Sequence, residues 1–258
     1  MASFFRQLGL LIFFFALSVP EGRGNPPLQE QSEQFFNLPL DGTITVDNLG
    51  GAIHIFGWYQ PKVRLAALRK AYTAPRLHQI RVETVARSHT LAVRTVIPEA
   101  TGFFADRSGT VEYSINVPEP ARLVLKQGDG EITLQGLRGA VAEIEMMNGR
   151  VIARNCFAQV RARGVHGVME VFFDWWENLP ATFACVLQHG RMGARLPREA
   201  HFKVEARTTN GRIHQEFALP APATTGAGQS LQAATASQSP VSLGMATGGG
   251  NITIEVTR

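Results

Sequence analysis

The chain has 258 residues, 45% hydrophobic and 18% charged, with a formal net charge of +4. That apolar share fills a core and excludes wholesale disorder, and the length suits one β-rich domain or two small ones. Two cysteines exclude a disulfide-stapled miniprotein and a cysteine-based zinc module, while a mild positive charge with no dense basic block permits an anionic partner without demanding one.

Residues 1–24 read as a signal peptide. Arg6 and the amino terminus supply a positive leader, and Leu8 to Val19 is an uncharged apolar run. At about twelve residues the run is short of the roughly 20 that a membrane-spanning helix needs. Ala16 and Ser18 stand in an A-x-S cleavage pattern. An uncleaved anchor is the alternative, and either one places the domain outside the cytoplasm, in the periplasm, outside the cell or on its surface. No later stretch approaches spanning length, so the mature domain is expected to be soluble. A Pro/Gln/Glu-rich linker over 25–34 leads into a single β-strand-repeat domain over 35–258.

One pattern recurs through that domain, a Gly followed by an alternating apolar run. It appears as DGTITV (41–46), GGAIHI (50–55), DGEITL (129–134), RGAVAEI (138–144), NGRVIA (148–153), HGVMEV (166–171), HGRMGARL (189–196), NGRIHQEF (210–217) and GGNITI (249–254). Asp-Gly, Asn-Gly and Gly-Gly pairs tolerate the positive φ of a tight turn, and the alternation places Ile44/Val46, Ile53/Ile55, Ile132/Leu134 and Ile252/Ile254 on one side. Helical periodicity is nearly absent, and Val63, Leu65 and Ala67 favour a strand in the one ambiguous stretch, 62–74. The glycines at 130, 149, 167, 190 and 211 are spaced by 19, 18, 23 and 21 residues. Near-regular steps of this size mark stacked coils. The fold class expected is therefore all-β, a β-solenoid (β-helix) of short Gly-turn strands, with a β-sandwich as the alternative. Between Pro61 and Pro118 the Gly turns are missing, and KVRLAAL, QIRVETVA, TLAVRTVI and GTVEYSINVP read as a longer-stranded N-terminal sheet that covers the open end of the coil. Residues 220–248, rich in Ala, Ser, Thr, Gly and Gln, read as a flexible low-complexity loop before the last strand.

The order of these motifs resembles the family of bacterial putative adhesins, exported β-strand-repeat domains of unknown function. LDGTITVDNLGGAIHIFGW matches the family's paired Gly-x-Val/Ile strands ending in Gly-Trp. VEYSINVPEPARLVLKQGDGEITLQGLRGAVAEIEMMNGRVIA matches its run of strand, Val-Pro, strand, Gly-Asp-Gly, strand, Gly, Asn-Gly, and the TTNGRIHQEFALP and TGGGNITIEV units close it. The resemblance implies a secreted or envelope-located β-helical domain, no known catalysis and no cofactor. VFFDWWENLP departs from the plain repeat.

Catalytic motifs are sparse. No Gly-x-Ser-x-Gly elbow, P-loop, dinucleotide fingerprint or His-Glu-x-x-His occurs, and the seven histidines lack metal-ligand spacing. His54 and His214 each follow the Ile of a Gly-x-Ile unit and can meet only if their coils are adjacent. Glycan chemistry would need carboxylates converging on one groove, for which Glu143, Glu145, Glu170 and Asp174 are the candidates. Cys156 and Cys185 sit among apolar residues, as a disulfide or as two buried thiols. For binding, Arg150, Arg154, Arg161 and Arg163, together with Arg191, Arg195 and Arg198, can align as a basic stripe if the rungs stack. In the aromatic run, Phe172 or Phe173 fills the core, and Trp175 and Trp176 either cap a loop or offer rings to a sugar. The function expected is an exported, non-enzymatic, adhesin-like module whose partner is an envelope glycan, lipopolysaccharide or another envelope protein. A polysaccharide-active enzyme on the same scaffold and an envelope-stress accessory that binds anionic polymers are the alternatives. Nucleic acid is disfavoured by the export signal.

Overall fold

A computed structural model describes residues 26–102 and 105–257, so the signal segment over 1–24 lies outside the described residues. In chain order the elements are β1 (Leu28–Asn37), β2 (Thr43–Trp58), β3 (Lys62–Ala71), a single-turn-and-a-half helix α1 (Ala74–Gln79), β4 (Arg81–Ala86), β5 (Thr90–Val96), β6 (Thr110–Pro118), β7 (Arg122–Gln135), β8 (Arg138–Arg154), β9 (Phe157–Phe172), β10 (Ala181–Leu196), β11 (Phe202–Thr208), β12 (Ile213–Gln215), β13 (Ala223–Thr225), β14 (Gly228–Ala234), β15 (Val241–Gly249) and β16 (Ile252–Val256). The protein is all-β, one large mixed sheet in which every strand finds a partner.

The centre of the sheet is a parallel ladder, β2-β7-β8-β9-β10. Each of these long strands is two half-strands joined at a glycine. In β7 the buried side chains are Leu123, Leu125 and Gln127 before Gly130, then Ile132 and Leu134 after it. The inward phase thus shifts by one residue across the glycine, which alternation alone would forbid. The same break recurs in β8, where Ala142, Ile144 and Met146 give way to Val151 and Ala153 around Gly149. Register brings the breaks together: Gly51 stands opposite Gly130, Gly130 opposite Gly149, Gly149 opposite Gly167 and Gly167 opposite Gly190. All five have positive φ, from 115° to 142°. A Cβ on Gly149 would overlap the carbonyl oxygen of Gly130, and one on Gly167 the carbonyl oxygen of Gly149.

The stretch from Pro61 to Pro118 forms the longer strands that the sequence indicates, and they complete the free side of β2. Its first half pairs with β5, which carries β4 antiparallel; its second half pairs with β6, which carries β3 and then β1 antiparallel. Three readings need correction. The 25–34 linker is mostly strand, because β1 begins at Leu28 and is held on β3 by the ion pairs Glu30–Arg69 and Glu33–Arg64, both at 2.5 Å. The 220–248 loop contains β13, β14 and most of β15. Low charge suits β15 because it is enclosed, pairing in parallel with β10 on one side and β11 on the other. Finally, Gly211 does not follow Gly190 in the ladder. A Cβ on Gly250 would overlap the carbonyl of Gly190, and one on Gly211 the carbonyl of Gly250, so the last strands insert between β10 and the pair β11/β12.

The core between the half-strands is aliphatic with a few large rings. Phe157, Phe173, Phe183 and Phe202 are fully buried, and Tyr113 at the N-terminal end is buried with its hydroxyl 2.6 Å from Thr95 Oγ1. Cys156 and Cys185 are buried free thiols, and burial pushes each up to about 12. Of the two readings of the cysteines, the structure has the thiols.

Two outcomes follow. Gly149→Ala combines a disfavoured φ with overlap against backbone and is expected to cost about 3–5 kcal/mol. It should appear in urea as a lower midpoint at unchanged slope. Gly226→Ala, also at positive φ but with open space around it, should cost about 1 kcal/mol. The native protein should leave both thiols unreactive towards a disulfide reagent up to about pH 9 and release both on denaturation, since the thiolate is the reactive species.

Candidate functional site

Because side chains alternate across a strand, the residues between the buried ones form outward rows that run from strand to strand at about 4.8 Å. Ahead of the glycine corner, Gln159, Arg161 and Arg163 of β9 stand opposite Thr182 (Gln159), Ala184 (Arg161) and Val186 (Arg163) of β10. These lie opposite Ser242, Gly244 and Ala246 of β15, and those in turn opposite Lys203, Glu205 and Arg207 of β11. The result is an uncharged strip two strands wide with Arg161 and Arg163 on one side and Lys203 and Arg207 on the other. All four cations are exposed, and none makes an ion pair among the described residues. Their neighbours on the opposite flank are already committed: Glu143 pairs with Arg122 at 2.6 Å and Glu145 with Lys126 at 3.2 Å.

Past the corner three arginines are paired across strands, while Arg191 of β10, opposite Val168, is exposed and makes no ion pair among the described residues. Arg150 bonds Glu170 on β9, Arg154 grips Asp174 through Nε at 2.6 Å and Nη2 at 3.0 Å, and Arg195 bonds Glu255 on β16 at 2.8 Å. The Arg154 hydrogen bond holds the Asp174 carboxyl below the usual range. Arg195 also lies over the Phe172 ring, 5.3 Å from its centre. Phe172, Arg154, Asp174, Arg195 and Glu255 line a shallow depression of about 660 Å³.

The sequence-derived arginines therefore do not form one stripe. Arg161 and Arg163 lie before the corner, Arg150, Arg154, Arg191 and Arg195 after it, and Arg198 on the turn past β10; of these Arg161, Arg163, Arg191 and Arg198 make no ion pair among the described residues. The carboxylates divide in the same way, with Glu143 and Glu145 before the corner and Glu170 and Asp174 after it. His54 and His214 sit at opposite ends of one outward row, opposite Thr133 and Thr253 respectively, and do not meet. Instead His166 and His189, the residues just ahead of two corner glycines, stack with ring centres 5.2 Å apart. In the aromatic run Phe173 fills the core. Trp176 packs edge-on to Phe157 and Phe173 at 6.4 and 5.7 Å, and Trp175 is half exposed.

Sequence reasoning missed Lys203, Arg207 and the small residues of β15, since their role depends on which strand lies between β10 and β11. The visible signal was the alternation in Val241-Ser-Leu-Gly-Met-Ala. It also missed Tyr59, Glu119, Arg138 and Glu177, which gather on the turns that end the second half-strands, where a repeat pattern shows only punctuation. Among the described residues no group of three or more His, Cys, Asp or Glu side chains is placed to hold a metal ion, and no helix is long and apolar enough to cross a membrane.

No protein-family model and no curated protein matches the chain. Solved structures do. A putative cell adhesion protein from Clostridium sporogenes is 12% identical with a TM-score of 0.51, over 90% of this chain and 100% of that one. A putative adhesin from Bacteroides fragilis is 11% identical over 90% of this chain and 100% of that one, at a TM-score of 0.32. At 12% identity the first likeness concerns architecture, and it agrees with the resemblance carried by the repeat motifs: this chain has the fold of the putative cell adhesion protein from Clostridium sporogenes.

Proposed function

We propose that the protein is an exported, non-enzymatic, adhesin-like module of the cell envelope, built as a β-solenoid, whose face ahead of the glycine corner holds an extended anionic polymer. The observation that carries this reading is the pairing state of the cations. Arg150, Arg154 and Arg195 spend their charge on carboxylates of neighbouring strands, whereas Arg161, Arg163, Lys203 and Arg207 flank an uncharged strip with only Glu205 among them. From β9 to β11 the strip spans about 14 Å at the spacing of paired strands. A polyanion laid along it meets guanidinium and ammonium groups on both sides, with Thr182 and the half-exposed Val186 the largest side chains between them. Guanidinium groups suit carboxylate and phosphate oxygens through paired donors. The export signal read over 1–24 and the Clostridium sporogenes likeness support an envelope setting, periplasmic or cell-surface.

Such binding has to be electrostatic and therefore screened. The intact mature protein should bind lipopolysaccharide or polygalacturonate at about 0.05 M salt and release it at about 0.5 M. The pair Arg161→Ala and Arg163→Ala should weaken binding roughly tenfold or more, while Arg154→Ala should change it less than about twofold. Binding that ignores salt, or that survives the double substitution unchanged, would overturn the reading.

A further inference from the structure

A second surface, on the turns that end the second half-strands, differs from the cationic strip in both composition and charge. Arg138 opens β8 and forms a two-pronged ion pair with Glu177, Nη1 to Oε2 at 2.5 Å and Nη2 to Oε1 at 2.6 Å. The Trp175 indole donates to Glu177 Oε1 at 3.1 Å. On the other side of Arg138 lies Glu119, just past β6, whose backbone N–H donates to the Trp58 carbonyl at 3.2 Å and so stands beside Tyr59, just past β2; its carboxylate feels the charges of both Arg138 and Glu177. Burial lifts Glu119 above the usual carboxylate range, whereas its hydrogen bond to Arg138 holds Glu177 below it. Two aromatic rings flank this polar group and both face solvent, Tyr59 at 82% exposure and Trp175 at 49%.

The segment that carries Trp175 is fixed. Asn155, the one described non-glycine residue with positive φ, accepts from the Asp174 backbone N–H at 2.8 Å and donates to Asp174 Oδ2 at 2.7 Å. Trp176 is pinned against Phe157 and Phe173, and the Phe157 ring lies 5.7 Å from the Arg138 guanidinium. The Trp175 ring on its fixed segment and the solvent-facing Tyr59, beside polar groups already held in place, make a largely preorganised surface.

We propose that Tyr59 and Trp175, with Glu119, Arg138 and Glu177 between them, form a binding surface for a neutral oligosaccharide. A pyranose ring offers an apolar C–H face that stacks on an aromatic side chain, and a rim of hydroxyls that pair with planar carboxylate and guanidinium groups. Both halves of that chemistry are present here. Charge selects among saccharides: two carboxylates against one guanidinium leave the surface negative, which repels polyanions and favours an uncharged sugar chain. The inference goes beyond the cationic strip and does not depend on it, since the residues, the charge and the expected salt response all differ.

Tryptophan fluorescence of the intact mature protein, titrated with cellohexaose and with the tetramer of N-acetylglucosamine, tests it. At least one of the two should give a saturable change, nearly the same at about 0.05 and about 0.5 M salt. Trp175→Ala and Tyr59→Ala should each weaken binding roughly tenfold, measured by calorimetry because Trp175→Ala removes a reporter. The Arg161→Ala, Arg163→Ala pair should leave this binding unchanged. Tyr59 is so exposed that its replacement should not disturb folding, which circular dichroism checks. Absence of binding by both saccharides up to about 10 mM, or binding that both single variants retain at full strength, would overturn the proposal whatever becomes of polyanion binding.

Discussion

At each corner of the ladder a glycine Cα sits against the carbonyl oxygen of the residue one strand earlier. The stack runs from Val111 through Gly51, Gly130, Gly149, Gly167, Gly190 and Gly250 to Gly211. Any Cβ in the stack would collide with backbone rather than with a side chain that can swing aside, so the position has no tolerance for size. The positive φ at the same residues turns the chain so that the inward face before the corner continues as an inward face after it. Alignment of every half-strand, and with it every outward row, follows from this one contact repeated. Because the constraint acts only at the corner, the chain between corners can vary in length. Long insertions between Gly51 and Gly130 and between Gly190 and Gly250 leave the stack intact, as the slow growth of loop-closure entropy with length allows.

The insertions do structural work of their own. The first supplies β3 to β6 and lets β1 close over one end of the ladder, and the second supplies the β13–β14 hairpin that pairs with β11 near the other. Polar side chains just inside the corner complete the arrangement at both ends. Asn48 donates to the Val111 carbonyl at 3.0 Å, Gln127 to Gly51 at 3.4 Å, Thr247 to Gly190 at 3.3 Å and Thr208 to Gly250 at 2.8 Å. In each case the acceptor is the carbonyl against which that strand's own glycine stacks. Between these ends the same position holds Met146, Gly164 and Leu187, so the middle of the ladder is apolar and its flanks are hydrogen-bonded. A buried carbonyl left without a donor costs about 1–3 kcal/mol, which is reason enough for polar residues in an otherwise aliphatic row.

What was legible in the sequence was whatever a single strand and its turn determine. Asp129-Gly130, Asn148-Gly149 and His166-Gly167 announce corners because positive φ is a local property. Ile132/Leu134 and Ile252/Ile254 announce inward faces because alternation is local too. The order of stacking is not local. Gly250 lies between Gly190 and Gly211 although it comes last in the chain, and no spacing rule conveys that. Its consequence is that Val241-Ser-Leu-Gly-Met-Ala, which reads as low complexity, is an enclosed strand whose small outward residues create the uncharged strip. In β1 the Gln and Glu residues read as linker because only Phe36 is buried, while the ion pairs that hold the strand come from Arg64 and Arg69, more than thirty positions later.

The same non-locality separates arginines that look alike in the sequence. Arg150 belongs to a Gly-led apolar run and Arg161 to the alternating run FAQVRAR ahead of the next corner, and both point outward. Arg150 stands opposite Val168 and reaches diagonally to the carboxylate of Glu170 on the same strand, but Glu143, opposite Arg161 on the preceding strand, bonds Arg122 instead. To use Arg150, an incoming anion would have to displace a neighbour already held at short range. Arg161 has no such neighbour among the described residues, so only water and mobile ions need be released. In a ladder of equally spaced rows, then, the capacity to bind is decided by which charges the fold has left unspent. On this chain four of those charges, Arg161, Arg163, Lys203 and Arg207, stand ahead of the corner around one uncharged strip, while the exposed rings of Tyr59 and Trp175 lie on the turns behind it. A single repeat thus presents a cationic face ahead of the corner and a separate aromatic edge behind it, with the glycine stack holding both at fixed spacing.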